Sequence, residues 1–356
     1  MYTPKFEVSP RVARLLEDIA QVRERIRSSL VRVPWIPSLV KDAMARAAWG
    51  STAIEGCTLS LEAVRGLLEG KETPSYPEKH VRMAKNYLRA LAWLQKMEKV
   101  KTLGESQLFE LHTLVAEGAV EEGPIGAYRK IDVRAGLHVG APWQKVRVLT
   151  RESLDWLNGP ARKLPSVFTA AILHFRMVDI HPFRDGNGRI ARALSTWELY
   201  RKGFDTLHIF ALDEVLQEHR ALYIKSLQRV QIEGWDFSLK TKAKILQSVD
   251  GLGGWIEFIA EAILETLQRV DKRIQAIGPR SETPISLSVR QEKLLTMLRE
   301  RGAIGIGEIA IALRVTTPGA HYVLKPLLGA GLVRSIGSHK RTKYTLVSIS
   351  SQANLD

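Results

Sequence analysis

The stretch of sequence that decides the fold is His181-Pro182-Phe183-Arg184-Asp185-Gly186-Asn187-Gly188-Arg189-Ile190-Ala191-Arg192. It joins two segments that have the apolar pattern of helices, from about Ser166 to Asp179 and from about Asn187 to Arg201. The Gly-Asn-Gly triplet can turn sharply where the second helix begins, and the first N–H groups of a helix have no helical acceptors. Such a helix start is an anion site suited to a polyphosphate.

The side chains of this stretch supply the other parts of a phosphate site. Arg189 and Arg192 are three residues apart, so both can lie on one helix face and contact phosphate oxygens. Asp185 offers a hard oxygen of the kind that holds Mg²⁺ beside phosphates. His181 offers a neutral imidazole that can deprotonate an attacking hydroxyl, and Phe183 is predicted to anchor the loop in the core. A glycine-rich turn with a surface histidine is the alternative, but the coincidence of so many specified positions favours a displacement at phosphorus.

These residues resemble the complete signature motif of the Fic (fido-fold) family. The resemblance implies a mainly α-helical core from about Thr102 to Glu233 that carries a short β-hairpin flap. It also implies an enzyme that transfers AMP from ATP to a Tyr, Thr or Ser hydroxyl of a target protein, with Mg²⁺ as cofactor. Relatives with kinase-like or phosphocholine-transferring chemistry tend to alter the Gly-Asn-Gly core. That core is intact here, so AMP transfer is favoured.

The same resemblance implies a role for each residue of the motif. His181 corresponds to the general base, and Asp185 corresponds to the residue that holds Mg²⁺. Gly186, Asn187 and Gly188 would bind the α- and β-phosphates of ATP. Arg189 and Arg192 would contact the outer phosphates.

A second segment, Ile131 to Trp143, combines alternating residues with two glycines and is typical of a short β-hairpin. In the Fic family a flap beside the active site pairs with the target segment as an added strand. The resemblance therefore implies that this hairpin holds the target. His138 within it can touch that target, but a solvated loop residue is its default interpretation. A surface hairpin without a docking role is the alternative.

A third segment, Ser51-Thr52-Ala53-Ile54-Glu55-Gly56, resembles the family's inhibitory helix. Ser51 and Glu55 are four residues apart, so they share a helix face. The resemblance implies that Glu55 pairs with Arg192 and occupies the place of the γ-phosphate, which prevents ATP from binding productively. An ordinary glutamate near a helix end is the alternative interpretation.

Composition limits where and with what the protein acts. The chain has 356 residues and a formal net charge of +14, which attracts polyanions such as nucleotides, nucleic acid or an acidic protein surface. We find no signal-peptide pattern and no apolar run long enough to span a membrane. The single cysteine, Cys57, excludes an intrachain disulfide and is predicted to be a small buried residue. These features favour a cytoplasmic protein without a membrane partner.

We predict three domains. Residues 1–101 form a helical module with the inhibitory helix, residues 102–280 form the Fic core with its supporting helices, and residues 281–356 form a winged helix-turn-helix. The Gly, Pro and Ser content of residues 277–284 marks the linker. The predicted helices run from about Arg11 to Arg32, Ile36 to Glu55, Ser60 onward, Lys79 to Lys99, Ser106 to Glu117, Leu149 to Leu157, Ser166 to Asp179, Asn187 to Arg201, Ser288 to Arg301, Ile306 to Leu313, and Thr316 to Gly331.

The C-terminal segment has three predicted helices followed by a basic hairpin, from about Val333 to Val347, which is typical of a winged helix-turn-helix. Its recognition helix would present His321 and Lys325, and its wing would present Lys340, Arg341 and Lys343. These charges suit contacts with DNA phosphates. Winged helices also serve in protein docking and dimerisation, so DNA binding and a homodimer are both left open.

Two functions from different classes are therefore weighed. The first is an autoinhibited protein adenylyltransferase, and the second is a DNA-binding regulator whose Fic portion senses nucleotide or is vestigial. The intact loop favours the enzyme, because a sensor would not need His181. His174, seven residues earlier, is predicted to be a packed core histidine, since no second His or Cys completes a metal site. The target protein, the release of autoinhibition and any removal of AMP are left open.

Overall fold

The structure is a computed structural model of the chain. It describes residues 2–30, 36–119, 123–136, 138–204, 208–230, 249–277, 288–329, 332–337 and 342–346. Two compact units are present, residues 1–19 with 41–266 and residues 20–40 with 267–356. The domain boundaries inferred from the sequence stay predictions, and most of the proposed linker lies outside the described residues.

The fold of the described residues is mainly helical, as predicted. The helices are α1 (Pro10–Leu30), α2 (Ile36–Ile54), α3 (Leu61–Leu68), α4 (Glu78–Met97), α5 (Glu105–Ala116), α6 (Trp143–Asn158), α7 (Ser166–Ile180), α8 (Asn187–Arg201), α9 (Leu212–Glu218), α10 (Arg220–Val230), α11 (Val249–Ile277), α12 (Val289–Arg301), α13 (Ile306–Leu313) and α14 (Thr317–Gly329). The strands are β1 (Arg134–Ala135), β2 (His138–Val139), β3 (Ile304–Gly305), β4 (Val333–Ile336) and β5 (Lys343–Leu346). Within these described residues, no helix has both the length and the apolar character needed to cross a membrane.

Helices α7 and α8 form the centre of the first unit and pack against each other. Helix α7 is predominantly apolar, with Arg176 and Asp179 as its charged residues, and nearly all of its residues are buried, as its sequence predicts. Helix α8 is also buried but carries charged residues, including Arg189, Arg192 and Glu198. Because buried charges need partners, α8 can sit here only if neighbouring elements supply acceptors and cations. The loop that joins α7 to α8 therefore starts and ends on rigid, buried helices.

Local predictions about several single residues are confirmed. The Ser60 hydroxyl caps α3 by accepting a hydrogen bond of 3.1 Å from the Ala63 N–H. Cys57 is a buried free cysteine. His174 is fully buried on α7 and contacts the Tyr223 hydroxyl across 2.9 Å, as a packed core histidine would.

The predicted start of α6 near Leu149 is wrong, because the helix begins at Trp143. Trp143 is therefore the first residue of the helix and does not belong to the hairpin turn. The reason is a cap that sequence spacing does not reveal. The Asp132 carboxylate accepts a 2.9 Å hydrogen bond from the Trp143 N–H, across eleven residues of chain.

The predicted hairpin is present as the antiparallel pair β1 and β2. Arg134 is opposite Val139 and Ala135 is opposite His138. Leu137, at the tip, lies outside the described residues. We call residues 131–141 the flap, because both strands lie within this segment.

The C-terminal part of the second unit has its own core, built by α12, α13, α14 and a three-stranded antiparallel sheet in the order β3-β5-β4. Ser288 and Gln291 form a capping box at the start of α12. The sequence predicted the helices and the pair β4–β5, but it missed β3, which is only two residues long. The winged helix-turn-helix stays a prediction, and two proposed wing residues, Lys340 and Arg341, lie outside the described residues.

Candidate active site

The loop from His181 to Gly186 is shaped by two residues in the left-handed backbone region. His181 ends α7 with φ 54° and ψ 61°, and its N–H donates to the Met177 carbonyl at 3.1 Å. Gly186 precedes α8 with φ 83°, a conformation that favours glycine. The first N–H groups of α8 have no acceptor within the helix, and the anion site expected there stays a prediction.

Asn187 holds this loop in shape through its side chain. Its Oδ1 accepts from the Phe183 N–H at 2.8 Å, and its Nδ2 donates to the Phe183 carbonyl at 2.9 Å. Phe183 itself is fully buried, which confirms its predicted role as an anchor. The Asn187 amide is therefore used to brace the loop, and what it leaves for an anion is its backbone.

His112, on α5, supports the loop from the other side and was missed by the sequence analysis. Its ring stacks on Phe183 with a centroid distance of 3.9 Å. Its Nδ1 accepts from the Gly126 N–H at 2.9 Å, so Nε2 carries the proton and donates to the Asp185 carbonyl at 3.2 Å. Burial lowers the pKa of His112 to about 4, which keeps it in this neutral form. No sequence signal could have linked His112 to a loop so far along the chain.

The imidazole of His181 is oriented by its own helix. Its Nδ1 lies 3.2 Å from the Val178 carbonyl. A carbonyl oxygen can only accept a hydrogen bond, so Nδ1 carries the ring proton. The lone pair on Nε2 is then available to accept a proton from another group. Burial, followed by the neighbouring His138, lowers the pKa of His181 to about 4. The imidazole is therefore neutral at physiological pH.

Arg192 is buried in a set of oxygen acceptors. Its Nε donates to the Ser51 Oγ at 2.8 Å, and its Nη2 donates to the Ser51 carbonyl at 2.8 Å and to the Glu55 Oε1 at 2.7 Å. From behind, its Nη1 donates to the Tyr223 hydroxyl at 3.4 Å, and its Nε lies 3.5 Å from the Asp213 carboxylate. The structure therefore brings Ser51, Glu55 and Arg192 together. Tyr223 and Asp213 were not anticipated, because nothing in their sequence surroundings marks them.

The electrostatics of this cluster favour the charged pair. Burial by itself would raise the pKa of the Glu55 carboxyl, but the charge and hydrogen bond of Arg192 outweigh it, and the pKa is lowered. The Glu55 side chain nevertheless keeps 35% of its surface accessible, whereas that of Arg192 keeps 1%. The arginine is thus enclosed by protein atoms, and the glutamate is the partner that solvent can reach.

Arg189 points to different partners from Arg192. Its Nη1 donates to the Val115 carbonyl at 3.3 Å, and its Nη2 lies 3.4 Å from the Asp185 carboxylate. The sequence placed both arginines on one helix face. In this structure the Arg189 group faces Asp185, at the mouth of the loop, whereas the Arg192 group faces Ser51 and Glu55.

Asp185 fits the requirements of a magnesium ligand that works together with phosphates. Its side chain is 53% exposed, and its Oδ1 accepts from the Gly186 N–H at 2.5 Å. The described residues contain no group of three or more His, Cys, Asp or Glu side chains that could hold a metal ion by themselves. Mg²⁺ commonly takes one or two carboxylates and completes its shell with waters and substrate oxygens. A single exposed carboxylate beside an anion site matches that pattern.

Part of the chain is similar to a known protein family. Residues 102–199 match the sequence model described as Fic/DOC family. The matched segment contains helix α7, the loop that follows it and all but the last two residues of α8.

Curated relatives match part of the chain. The chain is 34% identical over 172 residues to the protein adenylyltransferase Fic of Drosophila willistoni, which is 46% of this chain and 33% of that protein. It is 29% identical over 206 residues to the protein adenylyltransferase Fic of Nematostella vectensis, covering 55% of this chain and 47% of that protein. The chain thus matches less than half the length of these curated relatives. Among solved structures, a Fic family protein from Desulfovibrio desulfuricans G20 is similar in fold, with a TM-score of 0.62, 20% identity and coverage of 97% and 98% of the two chains.

The protonation state of His181 can be measured directly. Because burial and His138 lower its pKa to about 4, the imidazole of the ATP-free protein should still be neutral at about pH 5.5, whereas an ordinary histidine is mostly protonated there. Imidazole NMR signals recorded through a pH titration, and assigned with the variant His181→Ala, report this value. A midpoint near the ordinary histidine value would contradict the prediction.

Proposed function

We propose that the protein transfers AMP from ATP to a Tyr, Thr or Ser hydroxyl of a target protein, and that Glu55 restrains this activity. One observation carries the proposal. His181 lies at one end of the loop that leads into the first turn of α8. Arg192 on that helix donates a hydrogen bond of 2.7 Å to the Glu55 carboxylate. The relatives named protein adenylyltransferase support the same activity.

In the proposed reaction the phosphates of ATP lie against the start of α8. The N–H groups of Gly188 and its neighbours bind phosphate oxygens, and Arg189 and Arg192 neutralise the charge of the outer phosphates. Asp185 would hold Mg²⁺, which neutralises phosphate charge when it is bound.

His181 then acts as general base. Its Nε2 takes the proton of the target hydroxyl, whose oxygen forms a bond to the α-phosphorus. The bond from that phosphorus to the bridging oxygen breaks, and diphosphate leaves. The neutral state of His181 suits this role, because a protonated imidazole could not accept the proton.

The proposed restraint acts through Arg192. While Glu55 holds the guanidinium, one of the two cationic groups for the outer phosphates is already neutralised. ATP can then bind only away from its productive geometry, and such a displacement lowers the rate of AMP transfer. Ser51 contacts Arg192 through both its hydroxyl and its carbonyl, so the arginine stays in place when Glu55 leaves.

The alternative, a DNA-binding regulator with a vestigial Fic portion, is not favoured. Its loop would need neither an imidazole oriented by the Val178 carbonyl nor a partly exposed carboxylate paired with Arg192, and these contacts support the enzyme instead. Contact of the C-terminal segment with DNA, a homodimer and a cytoplasmic location stay predictions.

We expect Glu55→Gly to raise AMP transfer by about tenfold or more, because loss of a charge-assisted hydrogen bond is worth roughly 1.5–3 kcal/mol. In the same background His181→Ala should abolish transfer without weakening ATP binding. Incorporation of label from α-labelled ATP into the protein itself or into a lysate measures the first, and calorimetry with ATP measures the second.

The variant Glu55→Gln is the matched control, since it keeps the size and a hydrogen-bonding oxygen but removes the charge. A gain with Glu55→Gly and a smaller gain with Glu55→Gln would attribute the restraint to both charge and volume. No gain with either variant would refute the restraint, and loss of ATP binding in His181→Ala would remove the evidence for a catalytic role.

A second substitution should release the restraint without touching Glu55. Gly188 lies in the first turn of α8, and a Cβ added there would lie 3.2 Å from the Arg192 Nη1 and clash with the Glu55 Oε1. That atom is the end of a flexible side chain, so it can move away while the fold is kept. We therefore expect Gly188→Ala to displace Glu55 from Arg192 and to raise labelled AMP incorporation by about tenfold, the equivalent of roughly 1.4 kcal/mol.

The double variant Gly188→Ala with Glu55→Gly separates two explanations. If Gly188 serves the pairing of Glu55 with Arg192, the double variant transfers AMP as fast as Glu55→Gly alone. If Gly188→Ala instead slows transfer in both backgrounds, the glycine is required for the nucleotide, and this prediction is wrong.

A further inference from the structure

A buried arginine outside the signature motif contacts the flap and the end of α7 at the same time. Arg129 donates from Nε to the His181 carbonyl at 2.7 Å and from Nη1 to the Ile131 carbonyl at 2.6 Å. Its Nη2 donates to the Ile180 carbonyl at 3.2 Å and also to the Ala141 carbonyl. Ile131 and Ala141 are the first and last residues of the flap. One guanidinium therefore joins both ends of the flap to the backbone of His181.

Burying the Arg129 guanidinium costs free energy, because the charge loses its hydration. The Arg129 side chain is fully buried, and the Asp132 carboxylate that lies 3.8 Å from it belongs to a side chain that is 55% exposed. Its partners are thus mainly neutral carbonyls, and burial lowers the pKa of Arg129. Burying a charge with so little compensation is unfavourable unless its hydrogen bonds are well placed, and here each N–H group named above has a carbonyl acceptor. The planar fork of arginine can reach several carbonyls in fixed directions, which lysine cannot do.

The surrounding backbone repeats the same connection. The Arg129 N–H donates to the Pro182 carbonyl at 3.1 Å, and the Ala141 N–H donates to the Ile180 carbonyl at 3.2 Å. Gly140 fills the remaining space, because a Cβ added there would lie 3.0 Å from both the Arg129 Nη2 and the His181 Cβ. The end of the flap is thus packed directly against the guanidinium and the candidate base.

We propose that Arg129 is a positioning residue, which holds the flap and His181 in one arrangement so that a hydroxyl presented by the flap meets the imidazole. This inference rests on the function proposed above. In this proposal Arg129 acts through the carbonyls of His181 and of the flap and does not itself bind the substrate. Its hydrogen bonds among the described residues go to the flap and to the end of α7, so we expect its substitution to affect ATP binding little.

The test uses the full chain with Glu55→Gly as the parent, α-labelled ATP as donor and a cell lysate as acceptor. Arg129→Lys should lower the maximum rate of incorporation by about a hundredfold, since a misplacement of about 1 Å can have such an effect. The ATP concentration at half-maximal rate should change by less than about threefold, because the phosphate site is not contacted.

Arg176→Lys is the matched control. Arg176 is also buried, on α7, but it donates to Asp179 at 3.0 Å and to the Ser153 hydroxyl at 3.3 Å, away from the flap. It should lower the thermal midpoint by a similar amount and leave the maximum rate within about twofold of the parent. Equal loss of rate in the two variants would overturn the proposal, because general destabilisation would then explain both.

Gly140→Ala provides a second route if Arg129→Lys does not fold. It keeps the guanidinium but pushes on it and on His181, so the rate should fall at an unchanged half-saturating ATP concentration. A parent-like rate in Gly140→Ala and in any folded Arg129→Lys would overturn the proposal.

A readout that needs no transfer separates this inference from the proposed function. NMR signals of the His181 ring and of the flap amides of Arg134 and Val139 should shift in Arg129→Lys and stay in place in Arg176→Lys. If the parent itself transfers no AMP, the proposed function fails. The NMR signals still test whether Arg129 connects the flap to His181. Unshifted signals in Arg129→Lys would overturn the role of Arg129.

Discussion

A guanidinium without access to water must find oxygen acceptors inside the protein, and the arrangement of this site follows from how Arg192 finds them. Ser51 and Glu55 come from the end of α2, Asp213 comes from α9 and Tyr223 comes from α10. Helices that are distant in sequence are therefore drawn to one charge on α8. Behind Tyr223, whose hydroxyl accepts from Arg192, His174 can accept the tyrosine proton at 2.9 Å, because burial lowers the pKa of His174 to about 3. This chain of donors and acceptors therefore ends on a neutral imidazole.

Two buried arginines in the same unit solve this problem in different ways. Arg129 is surrounded by main-chain carbonyls, which are parts of the backbone and cannot leave. Arg192 has a carboxylate among its partners, on a side chain that keeps 35% of its surface accessible. The first arrangement suits a permanent joint, and the second suits a contact that a nucleotide phosphate can replace, since both groups offer anionic oxygens to one guanidinium. In the proposed mechanism Arg129 accordingly positions the flap and His181, whereas Arg192 takes part in the restraint by Glu55.

The loop between α7 and α8 depends on imidazoles that stay neutral. His112 must accept at Nδ1 and donate at Nε2 to connect Gly126 with Asp185, and a protonated ring would lose the first of these contacts. His181 must keep a free lone pair on Nε2 to serve as a base. Burial favours the neutral form of both rings. The same low-dielectric surroundings thus maintain the shape of the loop and the chemistry available to it.

The sequence by itself determined what depends on neighbouring residues. Glycines on either side of Asn187 predicted where α8 begins, the spacing of Ser51 and Glu55 predicted that they share a face, and alternation predicted the flap. Only the tertiary structure decided which distant groups meet. His112 contacts a carbonyl 73 residues away, and Arg192 is paired across 137 residues with Glu55. The resemblance to a known family anticipated the second of these contacts, but no spacing pointed to His112, Arg129, Asp213 or Tyr223. The physical reason is that local geometry sets turns and helix faces over a few residues, whereas the partner of a buried charge is set by how the helices pack.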